Sequence, residues 1–306
     1  MSDLFYYVLR RRRFYLSLAL ASFFLFAYDV LEMRVSDDTF HTALNKNVFD
    51  YPSHVSYYKE PQRRIRYVEI GDDNKPLIAF IHGAPSSSAF WRGMLTDSLL
   101  LQHAKLLAVD RPGYGYSGYG RPETSVQEQA RLIARILERK RHLHQKIILH
   151  GSSYGGTVAA RIAMDFPHLV DGLLLQSASL EPGAERTYDI TYLTSHPAVE
   201  WMIPGSLKVA NHEKLSHRRQ LELMRPLWDR ITAATIVLQG TADQLIYPSN
   251  AVYAFERLHN ARSSELVMAE GSAHDLLWTR RGLLVASLMK LMGSDTLYNN
   301  LNTFNR

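Results

Sequence analysis

Residues 147–156 read Ile-Ile-Leu-His-Gly-Ser-Ser-Tyr-Gly-Gly, a short apolar run followed by a serine flanked by glycines. The apolar run predicts a buried strand, and residues 154–165 have the composition of a helix that ends before Pro167. Between them lies the spacing Gly-x-Ser-x-Gly, with Ser153 at its centre. Ser152 is not the central serine, because His150 stands where its first glycine would be. A strand, a strained turn and a helix are the context this spacing requires. We therefore predict that Ser153 is exposed at a sharp turn.

Short apolar strands alternate with helices on both sides of this turn. The other predicted strands are Ile65–Ile70, Leu77–Ile81, Leu106–Val109, Leu173–Leu175, Ile236–Leu238 and Leu266–Met268. The other predicted helices are Val126–Leu143, Ala251–Leu258 and Leu276–Met292. This alternation predicts an α/β fold with a mostly parallel central sheet and helices on both faces. In such a sheet, ligands bind at the carboxyl ends of the strands.

A serine hydroxyl is a weak nucleophile and needs a base to activate it. With this kind of turn, the expected chain order is serine, then acid, then histidine. Asp243 follows one predicted strand and His274 follows the next. The competing acid position, after Leu173–Leu175, has no carboxylate before Glu181. We therefore predict Ser153 as nucleophile, His274 as general base and Asp243 as the acid that orients the histidine.

The same pattern predicts where an oxyanion would be held. The backbone N–H of Tyr154 follows the nucleophile at the start of a helix, and a second donor is expected from the loop after Leu77–Ile81. That loop reads His82-Gly83-Ala84-Pro85. Gly83 lets the backbone approach closely, so the N–H of Ala84 is the candidate donor. For His82 we expect hydrogen bonds to loop backbone, and we also keep it as a candidate pocket residue.

The segment 179–230 interrupts the alternation. It has no clear core strand and carries aromatic residues among several prolines, which predicts an inserted, mainly helical cap over the site. Candidate pocket residues are His82, Trp91, Tyr192, Trp201 and Trp228. The remaining divisions are an N-terminal segment 1–31, a connector 32–62, a core of 63–178 and 231–295, and a tail 296–306.

The N-terminal segment places Arg10–Arg13 before the apolar run Phe14–Tyr28. A charged front followed by an apolar run is typical of a signal anchor or an export signal. The run is shorter than the ~20 residues that span a bilayer comfortably, and counting on to Leu31 gives a marginal span with one acid, Asp29, near its end. We favour an uncleaved anchor over a cleaved signal or a buried helix. The positive-inside rule then places the catalytic domain on the non-cytoplasmic side, periplasmic or extracellular. An exported soluble protein is the alternative.

Composition narrows the chemistry further. The chain has 306 residues, 46% of them hydrophobic, which is enough for a large folded domain. It has no cysteine, which excludes disulfides, thiolate zinc sites and a cysteine nucleophile. The net charge of +5 comes largely from local basic clusters without a nucleic-acid motif, so we expect no nucleic-acid partner. We expect no cofactor and no metal.

These motifs together resemble the α/β-hydrolase superfamily, in particular its esterase, dehalogenase and epoxide-hydrolase-like branch. The similar segments are 82–85 with Trp91 nearby, 110–117, the turn at Ser153, 240–243 and 271–274, and they span roughly residues 63–293. The resemblance implies the α/β-hydrolase fold with a cap, and a structural role for the loop 110–117. Dehalogenases and typical epoxide hydrolases of this fold carry aspartate where this chain has Ser153.

Serine at this position implies an acyl-enzyme intermediate. The sequence thus predicts a serine hydrolase that cleaves a carboxylic ester, with a hydrophobic small-molecule ester as substrate. Other reactions of the same triad stay open: thioesterase, lactonase, amidase, carbon–carbon bond hydrolase and acyltransferase. A non-catalytic ligand-binding member of the fold, or a membrane-tethered scaffold, is the alternative outside enzymes.

Overall fold

The structure is a computed structural model of the chain. It describes Phe14, Tyr15, Ser22, Leu31 and residues 33–184 and 187–293. The predicted anchor within residues 1–31 and the tail 296–306 therefore lie almost entirely outside the described residues. Within the described part of the chain, no helix is both long enough and apolar enough to cross a bilayer. The anchor stays a prediction.

The core is one eight-stranded sheet in the order β1-β2-β4-β3-β5-β6-β7-β8. The strands are β1 His54–Lys59, β2 Arg64–Ile70, β3 Leu77–Ile81, β4 Lys105–Val109, β5 Ile147–Ser152, β6 Gly172–Gln176, β7 Ala234–Gly240 and β8 Ser264–Ala269. The pairs β1–β2 and β2–β4 are antiparallel, and all the other neighbours are parallel. The predicted mostly parallel sheet is confirmed.

Helices cover the sheet on both faces. They are α1 Asp37–Leu44, α2 Arg92–Leu95, α3 Ser98–His103, α4 Val126–Arg141, α5 Tyr154–Asp165, α6 Asp189–Thr194, α7 Pro197–Glu200, α8 Gly205–Met224, α9 Ser249–Phe255, α10 Leu276–Thr279 and α11 Arg281–Met292. Three 3₁₀ helices lie at Ser88–Trp91, Pro167–Leu169 and Arg225–Arg230. The α/β fold class is confirmed.

The strands are apolar because both faces of the sheet are buried. Every residue of β3, β4, β5 and β6 is buried. Two apolar clusters result, one on each face: α4 and α5 pack in the first, and α3 and α11 in the second. This double cover leaves the carboxyl ends of the strands as the place where loops can form a site.

Two parts of the core differ from the sequence prediction. The connector 32–62 contains α1 and the edge strand β1, whose mixed burial gives no clear apolar run. The predicted closing helix is divided at Arg280 into α10 and α11. In the segment 179–230 the described residues form α6, α7, α8 and the 3₁₀ helix Arg225–Arg230, with no strand among them.

Candidate active site

Ser153 lies at the turn between β5 and α5, with φ of 54° and ψ of −125°. A positive φ is unfavourable for a residue with a Cβ, so tight packing must hold the turn in place. The neighbouring glycines make that packing possible. A Cβ on Gly155 would lie 2.2 Å from the carbonyl oxygen of Ile81, and one on Gly151 would lie 2.5 Å from the carbonyl oxygen of Gly155. The turn therefore has the strained geometry that the sequence spacing predicts.

Asp243 follows β7 and His274 follows β8, and the two side chains meet. His274 Nδ1 lies 2.7 Å from Asp243 Oδ2. The same carboxylate oxygen accepts from Gln239 Nε2 at 3.1 Å. The other oxygen, Oδ1, accepts from the backbone N–H groups of Leu245 and Ile246, each at 2.9 Å. Four donors thus fix the carboxylate, and the contact at Nδ1 leaves Nε2 of His274 as the nitrogen that can accept a proton.

These contacts keep Asp243 ionised although it is buried. Burial by itself raises the pKa of this carboxyl group. The hydrogen bond and charge of His274, with the N–H groups of Ile246 and Leu245, act in the opposite direction, and the net pKa is below the ordinary aspartate value. Asp243 is therefore a fixed negative charge next to the His274 ring.

Ser153 and His274 line one cavity of about 410 Å³ at the carboxyl edge of the sheet. The core contributes Ala84, Pro85, Ser153, Tyr154, Leu245, Ile246 and His274. The cap segment contributes Ser179, Tyr188, Thr191, Leu207, Ala210, Asn211, Lys214 and His217. The structure thus places the predicted nucleophile, the predicted base and both predicted oxyanion-hole residues around one space.

None of the five predicted pocket residues is among the residues that line this cavity. His82, Trp91 and Trp228 are buried inside the protein, Trp91 and Trp228 in the two apolar clusters. Tyr192 and Trp201 are on the outside of the cap, with 61% and 78% of their surface exposed. Aromatic character in a cap segment does not distinguish a side chain that faces the pocket from one that packs elsewhere. The structure therefore brings none of the five predicted residues to the cavity that Ser153 and His274 line.

His82 instead supports the loop that carries the predicted second oxyanion donor. Its Nε2 accepts from the backbone N–H of Arg111 at 3.0 Å, so Nδ1 carries the proton and donates to the carbonyl oxygen of Gly83 at 2.7 Å. Burial, with the charge of Arg111, lowers the pKa of His82 well below its ordinary value. A neutral, fully hydrogen-bonded histidine of this kind has a structural role.

The loop 110–117 is also held by buried polar contacts. Asp110 Oδ1 accepts from the N–H of Ser88 at 2.7 Å, and Oδ2 accepts from the N–H of Tyr116 at 3.0 Å. Arg66 Nη1 donates to Oδ2 at 3.2 Å. These contacts give Asp110 the structural role that the resemblance implies.

Besides several residues that line the cavity, three buried polar residues around the site were not foreseen. Gln239 donates to Asp243, Glu213 of α8 accepts from Arg111 in the core, and the ring of His217, also on α8, lies 4.6 Å from the ring of Tyr154. Gln239 had a sequence signal, since it lies at the end of β7, four residues before the predicted acid. Glu213 and His217 had only a weak one: they are one helical turn apart, so they lie on one face of α8.

Comparison with known proteins agrees with this fold. A family model described as alpha/beta hydrolase fold matches residues 76–218. Epoxide hydrolase 1 of Caenorhabditis elegans is 32% identical over 120 residues, which are 39% of this chain and 29% of that protein. The pimeloyl-[acyl-carrier protein] methyl ester esterase of Proteus mirabilis is 34% identical over 107 residues, 35% of this chain and 38% of that protein. The matched region thus spans well under half of these relatives.

Solved structures match over much more of the chain. A structure described as a membrane phospholipase A and bacterial virulence factor has a TM-score of 0.61 and 20% identity, and covers 94% of this chain and 97% of its own. The monoacylglycerol lipase of Paleococcus ferrophilus has a TM-score of 0.58 and 21% identity, and covers 78% and 100%. Similarity at this level of identity shows the fold. Together with the match to the family model, it shows that the chain has the α/β-hydrolase fold.

Proposed function

We propose that the protein is a serine hydrolase that cleaves carboxylic esters through an acyl-enzyme intermediate. The observation that carries the proposal is the 2.7 Å contact between His274 Nδ1 and Asp243 Oδ2, at the cavity that Ser153 also lines. A serine at a strained turn, a histidine with a free Nε2 and a buried carboxylate behind it are the three parts of an activated serine nucleophile.

In the first half of the reaction, Ser153 Oγ bonds to the ester carbonyl carbon while its proton moves to His274 Nε2. The carbonyl π electrons move onto oxygen, and the backbone N–H groups of Tyr154 and Ala84 stabilise this oxyanion. When the intermediate collapses, the bond from carbon to the alcohol oxygen breaks. His274 returns its proton to the departing alcohol, and the acyl group stays on Ser153.

In the second half, water attacks the acyl carbon and gives its proton to His274 Nε2. The second oxyanion collapses with release of Ser153, which takes the proton back, and the products are one acid and one alcohol per ester. Asp243 remains ionised throughout and stabilises the charged histidine.

Serine at position 153 favours ester cleavage over epoxide opening, although an epoxide hydrolase is among the relatives. An enzyme of this fold that opens an epoxide through an ester intermediate needs a carboxylate nucleophile. A hydroxyl at the turn would form an ether with the opened epoxide, and His274-activated water does not readily hydrolyse an ether. An acyl group on serine is hydrolysed readily, so a carbonyl substrate fits the site.

The lining of the cavity supports an ester with an apolar part. Pro85, Leu207, Ala210, Leu245 and Ile246 provide apolar surface around the catalytic residues. Burial of hydrocarbon against such residues contributes roughly 25 cal/mol per Å² of apolar surface. We therefore propose a small, hydrophobic ester as the substrate.

Hydrolysis in ¹⁸O-labelled water tests this function. Matched ester, thioester and amide substrates with the same acyl chain are incubated with the wild-type protein and with Ser153→Ala. We expect the ester to be cleaved fastest, with ¹⁸O in the acid and none in the alcohol, and no turnover by the variant. Label in the alcohol, or equal rates for both proteins, would contradict the acyl-enzyme route.

For the N-terminal segment we propose an uncleaved anchor that tethers the domain to the non-cytoplasmic face of a membrane. Support comes from the sequence alone: Arg10–Arg13 precede an apolar run. Extraction of membranes with alkaline carbonate should leave the full-length chain in the pellet and release a chain that lacks residues 1–31. Release of the full-length chain by carbonate would contradict the anchor.

A further inference from the structure

One peptide group of the oxyanion hole is held from its far side. The N–H of Ala84 and the carbonyl of Gly83 belong to the same peptide group. That carbonyl oxygen accepts from His82 Nδ1 at 2.7 Å and from Arg111 Nη2 at 3.0 Å. Because a peptide group is planar, fixing the carbonyl also fixes the direction of the N–H. Donors on the carbonyl also polarise the group, which makes the N–H a stronger donor.

Arg111 is fully buried and holds the loop at a second point as well. Its Nε donates to the carbonyl oxygen of His82 at 2.8 Å. Its guanidinium carbon lies 4.7 Å from the centre of the Tyr154 ring. Arg111 therefore contacts both sides of the proposed oxyanion hole. On one side it binds the backbone that precedes Ala84, and on the other it packs against the ring of Tyr154.

The position of Arg111 is set in turn by the cap. Arg111 Nη1 and Nη2 donate to the two carboxylate oxygens of Glu213, at 2.5 and 3.1 Å. Tyr114 Oη and Gln129 Nε2 donate to the same carboxylate, at 2.7 and 2.8 Å. Glu213 lies on α8 and is as deeply buried as its partner. A bidentate pair with every oxygen satisfied has a defined geometry, which a single contact does not.

The burial of this pair needs an explanation other than stability. Removing two charges from water costs about as much as their attraction returns, so an apolar pair of similar volume is often equally stable or more so. What an apolar pair cannot do is donate hydrogen bonds to the carbonyls of His82 and Gly83. The ion pair is therefore better suited to setting direction than to strengthening the fold.

We propose that Glu213 is a positioning residue of the cap that orients the Ala84 N–H through Arg111. The proposal rests on the proposed function, since it assumes that this N–H stabilises an oxyanion. The packing of α8 on the core thereby does two things: it completes the cavity and it aligns the oxyanion hole. Removing the carboxylate affects the rate of the chemical step more than ground-state binding, because the oxyanion forms only in that step.

Labelling with a fluorophosphonate probe measures the two effects separately, as a limiting rate of phosphonylation and an apparent affinity. For Glu213→Gln we expect the limiting rate to fall about 10- to 100-fold. That is less than the 100- to 1000-fold typical of complete loss of one donor, because the N–H is misaligned and not removed. The apparent affinity should change less than about threefold. Glu222→Gln is the matched control, because Glu222 is on the same helix and pairs at the surface with Arg218.

A second variant separates positioning from stability. Arg111→Met combined with Glu213→Leu replaces the ion pair by an apolar pair, which should restore folding but not the donors to the Gly83 carbonyl. Circular dichroism and urea unfolding report the fold. We expect the double variant to fold and still to be labelled slowly. If Glu213→Gln does not fold, the double variant alone provides the test. Wild-type labelling rates in Glu213→Gln or in the folded double variant would overturn the positioning role. Absence of label on the wild-type protein would overturn the proposed function itself.

Discussion

Replacing Asp243 by asparagine tests the triad through the tautomer of a single histidine. The carboxylate accepts two backbone N–H groups at Oδ1, from Leu245 and Ile246, and two side-chain donors at Oδ2, from His274 and Gln239. Backbone N–H groups cannot turn into acceptors. The amide oxygen of the new side chain must therefore take the place of Oδ1, and its NH₂ group must take the place of Oδ2.

The consequence for His274 follows directly. An NH₂ group facing Nδ1 donates to it, so the ring proton moves to Nε2 and this nitrogen can no longer accept the proton of Ser153. In serine proteases the same change, which leaves the geometry intact, lowers kcat by about 10⁴-fold. We expect a loss of the same order for Asp243→Asn, with a native circular dichroism spectrum.

The assay is the steady-state hydrolysis of a p-nitrophenyl ester, together with the rate of fluorophosphonate labelling of Ser153. Asp275→Asn is the matched control, because Asp275 lies next to His274 in sequence and its carboxylate accepts from Thr279 Oγ1 at 3.4 Å, with no described hydrogen bond to the His274 ring. A variant Asp243→Asn that keeps activity within tenfold of the wild type would refute Asp243 as the orienting acid.

Three further predictions concern the turn, the buried histidines and the cap. Gly155→Ala should lower the free energy of unfolding in urea by more than about 2 kcal/mol, because its Cβ would lie 2.2 Å from a backbone oxygen. Gly93→Ala is the neutral control, because the nearest atom to its Cβ would be 3.5 Å away. Equal losses of stability in the two variants would argue against tight packing at Gly155. His150 and His217 each have a pKa lowered to about 3, chiefly by burial, from an ordinary value of 6.5. The stability that each neutral, buried histidine contributes is therefore complete above pH 6.5 and is lost as the pH falls from 6.5 towards 3, at up to about 1.4 kcal/mol per pH unit. Urea unfolding at stepped pH should show this slope in the free energy of unfolding. A free energy that does not change with pH over this range would contradict the prediction. Trp201→Ala should leave ester kinetics within about twofold, because 78% of the tryptophan is exposed outside the cavity, and a large rise in KM would place it in the substrate path.

The parts of the fold and of the candidate site that could be predicted are those that a short stretch of sequence specifies by itself. Turn residues, apolar strand runs and the order of Ser153, Asp243 and His274 are local features, and the parallel sheet then brings the strand ends to one edge. The contact between Asp243 and His274 joins residues 31 positions apart, yet it follows from the neighbouring positions of β7 and β8. These parts of the site could be predicted without coordinates.

The cap could not be predicted in the same way. Its aromatic residues were assigned to the pocket, but Trp228 packs in the core and Tyr192 and Trp201 face outward. From α8, Leu221 and Met224 pack in the first apolar cluster, whereas the polar Glu213 and His217 reach the residues around the site. Which side chain goes where depends on how the helix crosses the sheet edge. Glu213 meets Arg111 across 102 residues of sequence, and no local pattern specifies such a contact. The edge strand β1 was missed for a related reason: only one side of it is paired, and its residues alternate weakly.

The most direct test of Ser153 as an activated nucleophile is the site of covalent labelling by a fluorophosphonate probe. The site is mapped by peptide mass spectrometry on the wild-type protein and on Ser153→Ala. The probe reacts with serines that a neighbouring base has activated, and Ser153 is predicted to be such a residue. We expect one modified peptide, labelled at Ser153, and no label on the folded variant. A folded wild-type protein without label, or label on another serine that persists in Ser153→Ala, would contradict Ser153 as the nucleophile.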